Sequence, residues 1–467
     1  AASGYMRAIE DYSMGINFSR VLSVQYGKAL NDAAGTNSWK PVAVGRVMTC
    51  VLGMIVKRER EIREFTETPF FKVLAGLKKE DTEFNAEWKA VEGSKYYASP
   101  ILYKDNGFLK KEDAIKFIEE LKTCETAVVK KIEKKVEKKN PPMLFNLAEL
   151  QNECSKRFKI SPDETLQVAQ ELYEKKLTTY PRTDARVLSS AVAREIYKNI
   201  SKLKGYEPTE DYVDNIMGKK LYVNIANTTY TDDSKVTDHY AIIPTGQLTE
   251  LNSLNSLQRA VFDVIVRRFL SIFYPPAEYE NVKLIVNVDG EKFFSSSKIL
   301  KKQGYLEVAT PPKKKSFEEE NSRILGSNNA NVNLESNSDD DGINVNPKAL
   351  QELAEILKKG DEISVAGYNV KYGKTSPPKR YTSGSMVLAM ENAGQLIEDE
   401  ELRSQIKGSG IGTSATRAEI LKKLINNKYL SLNKKTQIIT PTLLGEMIYD
   451  VVNASIRSLL NPELTAS

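Results

Sequence analysis

Residues 177–184 read Leu-Thr-Thr-Tyr-Pro-Arg-Thr-Asp, which sets the phenol of Tyr180 two residues before the guanidinium of Arg182. A phenol is a weak acid. A fixed positive charge beside it favours the phenolate and neutralises phosphate oxygens, so the pair has the makings of a nucleophile acting on a phosphodiester. A tyrosine in such a turn is more often a packed or surface residue, and alone the segment decides little. Residues 237–245, Thr-Asp-His-Tyr-Ala-Ile-Ile-Pro-Thr, hold His239, the single histidine of the chain. It reads either as a satisfied structural histidine beside an apolar run or as a phosphate or phosphotyrosine contact. A Ser-His-Asp site could use it, but a multi-histidine metal site cannot exist.

Two further stretches carry chemistry. Val44-Gly45-Arg46-Val47-Met48-Thr49 opens a helical pattern, and its plain reading is packing against a small residue. Gly408-Ser409-Gly410-Ile411-Gly412-Thr413-Ser414-Ala415-Thr416-Arg417 precedes the helical run AEILKKLI. It is not a nucleotide loop, because no strand precedes it and no Gly-Lys-Ser/Thr follows. A helix N-terminus carrying hydroxyls and an arginine does suit a DNA phosphate.

The elements that must position these groups alternate in kind. Residues 5–33 and 42–64 read as helices, with Val42, Val47, Val51 and Ile55 near helical spacing. From 65 to 139 strand-like runs appear: PFFKVLAGL, YYASPILY and TAVVKKIEKKVEKK. The last is ambiguous, since Val128, Ile132 and Val136 fit one face of a helix or of a strand. Residues 146–270 read as mostly helical, with Ser161 or Asp163 capping one helix. YENVKLIVNV, EKFFSSSKIL and YLEVAT, within 279–310, read as antiparallel strands, and 361–373 as another. Helices return after 383, and the order from 417 to 452 is compatible with a winged helix. No short tandem repeat is present. The helical, β, helical, β, helical order predicts one domain inserted within another.

Composition limits the classes. With 467 residues, 41% hydrophobic and 28% charged, the chain is globular, with about three domains expected at ~150 residues each. No apolar run reaches the roughly 18 residues a membrane span needs. Three scattered cysteines, Cys50, Cys124 and Cys154, make neither a disulfide framework nor a four-cysteine zinc site. The opening AASGY shows no signal-peptide pattern, so the chain reads as intracellular and as a piece of something longer. Residues 316–346 hold seven acids (Glu318, Glu319, Glu320, Glu335, Asp339, Asp340, Asp341) and one base, Arg323. That net of −6 leaves +11 on the rest of a chain whose total is +5. The segment reads as a solvated loop or insertion, and its Asp-Asp-Asp-Gly fits no EF-hand. The basic remainder makes nucleic acid a reasonable partner.

Taken together and in this order, VGRVMTCVLGMIV, LTTYPRTDARVLS, TDHYAIIPT, PPKRYTSGSMVLAMENAG and GSGIGTSATRAEILKKL resemble the type IA DNA topoisomerases, topoisomerase III type. The resemblance runs from residue 15 to residue 452. It implies a mixed α and β, multidomain gapped toroid. Residues 1–64 and 381–467 would form a helical base, the second part winged-helix-like. Residues 65–143 and 272–380 would form a β-rich arch containing the acidic loop, and 144–271 a helical lobe carrying the nucleophile. It also implies roles. Tyr180 would attack a single-stranded DNA phosphodiester and form a 5′-phosphotyrosyl link, which the free 3′-hydroxyl later reverses without ATP. Arg182 would stabilise the developing phosphoryl charge, and His239 would bind the backbone near the scissile phosphate. Asn17, Arg20, Arg46, Thr183, Asp184, Thr413, Thr416 and Arg417 would hold the strand. The outcome would be strand passage, giving relaxation or decatenation.

This sequence departs from the family pattern in places. Ala43, Met48 and Cys50 stand where the family helix motif has Ser, Gln and Pro, which puts two polar DNA contacts in doubt. Tyr240 stands where a second histidine is common, and Ser414 replaces a common Pro. The family's N-terminal Toprim domain, with its catalytic Glu and its Asp-x-Asp-x-Glu magnesium site, has no match here. The resemblance therefore implies Mg²⁺ for the parent protein, with ligands outside this chain, no zinc, and a fragment that would be inactive alone. The expected partners are single-stranded DNA and the missing Toprim domain. The protein would be monomeric, bacterial-type, cytoplasmic and nucleoid-associated, with no membrane. Three other readings compete: a non-catalytic single-strand-binding fragment, a tyrosine recombinase and a structural scaffold. A recombinase needs Arg, His and Arg before a C-terminal Tyr, whereas Tyr180 precedes the only His.

Overall fold

A computed structural model describes residues 2–35, 39–310, 347–393 and 410–461. In chain order the helices are α1 (Ala2–Ala33), α2 (Arg46–Glu64), α3 (Lys111–Leu121), α4 (Leu147–Phe158), α5 (Pro162–Glu174), α6 (Ser190–Lys202), α7 (Glu210–Gly218), α8 (Ser256–Ser271), α9 (Leu306–Ala309), α10 (Pro347–Ile356), α11 (Ser383–Glu391), α12 (Arg417–Asn426) and α13 (Leu443–Ser455). The strands are β1 (Pro69–Lys79), β2 (Thr82–Lys89), β3 (Leu102–Tyr103), β4 (Gly107–Phe108), β5 (Thr126–Lys139), β6 (Ala277–Val288), β7 (Glu291–Lys302), β8 (Glu362–Lys374), β9 (Leu430–Leu432) and β10 (Ile439–Pro441). The acidic segment 316–346 lies outside the described residues.

Contacts divide the chain into two units, each assembled from separated segments: 1–65, 142–273 and 377–467 in one, 66–141 and 274–376 in the other. The second unit is an antiparallel sheet in the order β2-β7-β6-β5-β8-β1-β4-β3. Because β1 also pairs with β2, six strands form a closed ring of pairings, which removes the open edges that invite aggregation. Strand β5 settles the ambiguity at 128–136. It pairs along its length with β6, and a bulge between Val129 and Lys131 resets its faces. YLEVAT is not a strand. The chain turns at Gly304, whose φ is +52, and a Cβ there would lie 2.4 Å from the Pro276 carbonyl oxygen. Tyr305 N–H then donates to the Pro275 carbonyl and α9 follows. The core centres on buried Trp88, stacked on Phe108 with ring centroids 5.0 Å apart. Its Nε1–H donates to Glu291 at 2.7 Å, which satisfies the one polar group of the indole.

The first unit is built around α2. Cys50, Val51, Leu52, Ile55 and Val56 of that helix are buried against α11, α12 and α13. Residues 42–45, expected as helix, have no regular structure, and α2 starts at Arg46 behind an extended Gly45. In α1, Ser19 and Ser23 hydroxyls bond the backbone of Val44 and Val42, giving that stretch hydrogen-bond partners. Helix α5 starts where its sequence says. Ser161 accepts from Glu164 N–H while the Glu164 carboxylate accepts from Ser161 N–H, a complete capping box with Pro162 at the first helical position. Strands β9 and β10 form a two-stranded wing between α12 and α13.

The segments expected as a helical base and as a nucleophile-bearing lobe fall together in the first unit, where two helices approach closely. Helix α4 of segment 144–271 lies on α11, and Gly384 leaves no room for a side chain, since an added Cβ would sit 2.7 Å from Asn152 Cα and from Ser155 Cβ. Lys422 of α12 also pairs with Asp163 of α5 at 2.8 Å. Gly384→Ala is expected to lower the stability of the first unit by about 2 kcal/mol through overpacking, read as a lower urea midpoint. An unchanged midpoint would mean that this approach is not tight.

Candidate active site

The segment carrying Tyr180 is irregular, and its position is set by pairing across the chain. After α5 the backbone reverses at Lys176, with φ +59. Thr245 N–H donates to the Leu177 carbonyl at 3.0 Å and Thr179 N–H to the Ile243 carbonyl at 2.9 Å. The Thr179 hydroxyl donates to the Ala241 carbonyl and accepts from Ile243 N–H. These bonds splice the second motif onto the first. Beyond the splice the Thr183 hydroxyl donates to the His239 carbonyl at 3.0 Å and accepts from Ala185 N–H.

The result brings Tyr180 and His239 together, ring centroids 4.4 Å apart and planes at 45°. Tyr180 is half-buried and His239 exposed. Arg182, half-buried, donates from Nη1 to Gln170 Oε1 of α5 at 3.2 Å. Tyr173, from the same helix, stands edge-on to Tyr180 at 5.3 Å. A phenol and an imidazole thus meet at an accessible surface, with a guanidinium two residues along the chain held by α5, an arrangement able to receive a phosphodiester and attack it.

The fourth motif joins by a different route from the one its sequence implied. Arg417 opens α12 but is 4% exposed. Its Nη1 donates to Asp184 Oδ1 at 3.1 Å and lies 3.8 Å from Glu391; its other donors reach the carbonyls of Ile411 and Gly412. Asn146, the cap of α4, donates to the Asp184 carbonyl and to Glu391 Oε1. Arg417 and Asp184, both expected to touch DNA, are paired with each other, a carboxylate being a strong partner for a buried guanidinium. Burial pushes the Glu391 carboxyl above its usual range. Arg417 opposes that shift, while Asp184 and Glu149 add to it. Thr413 and Thr416 remain exposed at the start of α12, their hydroxyls 3.1 Å apart.

Asn17 and Arg20 are exposed on α1, and Arg46 is buried at the first turn of α2. The departures in that motif have structural uses. Ala43 N–H donates to the Tyr429 hydroxyl at 2.9 Å, and Met48 packs against the core. Cys50 is fully buried, which pushes its thiol up to about 12. Tyr240 is half-buried, and burial raises its phenol. Gln170, Tyr173, Glu391 and Asn146 were not singled out by sequence. The only signal for the first two was their i, i+3 spacing near the end of α5, which equally describes a solvated face.

The family resemblance implies Mg²⁺, and the residues present do not fit it. Among the described residues no three His, Cys, Asp or Glu side chains cluster so as to hold a metal. No helix among the described residues is long and apolar enough to cross a membrane.

The mixed α and β fold of interrupted segments has a counterpart among solved structures. The fold is similar to that of full-length topoisomerase I from Thermotoga maritima, with TM-score 0.59 and 21% identity, covering 96% of this chain and 62% of that one. At that identity the likeness speaks for the fold. The family model described as DNA topoisomerase matches residues 1–467, and the chain belongs to that family. It is 31% identical over 470 residues to DNA topoisomerase 3 of Bacillus licheniformis, covering 99% of this chain and 55% of that protein. Against DNA topoisomerase 3 of Bacillus subtilis the identity is 32%, covering 99% and 56%. The chain spans about half the length of these curated relatives. The family and fold read from the motifs are thereby borne out.

Proposed function

We propose that this chain is the strand-cutting core of a type IA topoisomerase, acting on single-stranded DNA. The observation that carries the reading is the contact of Tyr180 with His239 at an accessible surface, with Arg182 two residues on and held by α5. Tyr180 Oη forms a bond to the scissile phosphorus as the P–O3′ bond breaks. The phenol loses its proton and the departing 3′ oxygen gains one. Attack by the 3′-hydroxyl reverses both changes, so the phosphoester bond energy is conserved and no ATP is consumed. Arg182 offsets charge on the phosphoryl oxygens, and His239 holds the adjoining backbone. Asn17, Arg20, Thr413 and Thr416 hold the strand through exposed polar groups. Arg46 and Arg417 act as the buried first residues of α2 and α12, whose N-terminal amides face phosphate. Arg417 and Asp184 fix the nucleophile segment and do not contact DNA. Passage of a second strand through the break gives relaxation or decatenation in the bacterial cytoplasm. A Toprim domain outside these residues would complete the site, and the full protein would work as a monomer.

The test is covalent trapping: a labelled single-stranded oligonucleotide is mixed with the full-length protein, quenched in SDS, and scored for a protein-linked label. The relatives' greater length favours one second reading, in which residues 1–467 alone bind single strands without cutting them. Trapping with the chain alone separates the two.

Either way, single-stranded DNA is expected to bind more tightly than duplex. With about five phosphates neutralised, affinity falls ~100-fold between 50 and 200 mM salt as counterions are released. A side-by-side salt titration checks this, and equal affinity for duplex would contradict it.

A further inference from the structure

Helix α5 does more than precede the nucleophile. Gln170 and Tyr173, three residues apart, lie on one face of its C-terminal half. Gln170 Oε1 accepts from Arg182 Nη1 at 3.2 Å, and Gln170 Nε2 donates to Glu174 Oε1 at 3.0 Å. The second bond sets which way round the amide sits, so that its oxygen faces the guanidinium. One of the five guanidinium donors is used, which leaves four for a phosphate. Tyr173 presents its ring to Tyr180 edge to face, centroids 5.3 Å apart and planes at 78°. The two side chains of α5 therefore contact the two reacting residues of the next segment, one each.

The helix is a firm base for this. Its start is locked by the capping box at Ser161, and Val168, Ala169 and Leu172 are buried beneath it. Glu171 accepts from Gln258 at the capped start of α8. By contrast residues 179–187 have no regular structure to hold their side chains. A long arginine left to itself loses rotamer freedom on meeting phosphate, and a partner that holds it beforehand removes that cost from the reaction.

We propose that Gln170 and Tyr173 are positioning residues, which aim Arg182 and Tyr180 at the scissile phosphate. The inference rests on the function proposed above. Its test is a double-mutant cycle in the full-length protein, read as the single-turnover rate of adduct formation on a single-stranded oligonucleotide. Gln170→Met keeps the size of the side chain and removes the acceptor. It is expected to slow cleavage about 10-fold, with DNA affinity and urea midpoint unchanged. In an Arg182→Ala background the same change is expected to have no further effect, because the group it aims is gone. Tyr173→Leu is expected to slow cleavage similarly, with Tyr173→Phe close to wild type, since the ring and not the hydroxyl meets Tyr180. Equal slowing by Gln170→Met in both backgrounds would overturn the proposal, as would full-rate cleavage by folded Gln170→Met and Tyr173→Leu proteins. If instead the wild type forms no adduct, or Arg182→Ala cleaves normally, the functional reading itself fails.

Discussion

Replacing Tyr180 by phenylalanine is expected to abolish the SDS-resistant adduct while leaving the fold and single-strand binding as they were. The substitution removes one oxygen. The ring keeps its place between Tyr173 and His239, and among the described residues the hydroxyl makes no hydrogen bond whose loss would cost stability. What disappears is the nucleophile, and no neighbouring group replaces it. His239 lies against the ring, but an imidazole adduct would be lost on acid treatment, which a phosphotyrosine survives. The checks are trapping with labelled oligonucleotide, a binding isotherm within about twofold of wild type, and an unchanged urea midpoint. An adduct persisting in Tyr180→Phe at wild-type yield would remove Tyr180 from the reaction.

Arg182→Ala is expected to slow cleavage by about 100- to 1000-fold, the usual effect of removing a group that meets developing charge. Binding should weaken far less, by about fivefold at most, because exposed residues elsewhere also hold the strand. The difference between the two losses is the informative quantity. A simple phosphate anchor contributes equally before and during reaction, so its removal would weaken binding and slow cleavage together. Arg182→Lys should recover only part of the rate. An ammonium supplies charge but not the planar fork that spans two phosphate oxygens, and it cannot keep the same geometry to Gln170. Equal losses in affinity and rate would reassign Arg182 to holding DNA.

Much of the local structure was legible because its causes are local. The start of α5 follows from a Ser-Pro-Asp-Glu sequence that can close a capping box on itself. Strands β6 and β7 show the alternation their burial requires. Where two periods fit the same residues, as at Val128, Ile132 and Val136, only the partner strand decides, and β6 lies about 150 residues away. The ring closure of the sheet depends on the pairing of β2 with β7, which no local pattern encodes. The site divides in the same way. Tyr180, Arg182 and His239 were visible as residue types in motifs, and the backbone bonds joining 177–179 to 241–245 explain why Tyr180 and His239 meet. The burial of Arg417 was not legible, because its partner Asp184 is 233 residues away and local sequence shows only a cation at a helix start. Gln170 and Tyr173 stayed hidden because a positioning face and a solvated face have the same spacing.

The polarity of the covalent link tests the central claim most directly. An oligonucleotide is labelled at its 3′ end in one sample and at its 5′ end in another, and each is trapped with the full-length protein. If Tyr180 attacks with the 3′ oxygen leaving, the protein stays on the 5′ end of the downstream piece. The 3′ label is then expected in the adduct, and the 5′ label on a freed fragment ending in a 3′-hydroxyl. A 5′ label retained on the protein would mean a 3′-phosphotyrosyl link, the chemistry of a different class of enzyme, and would contradict the account.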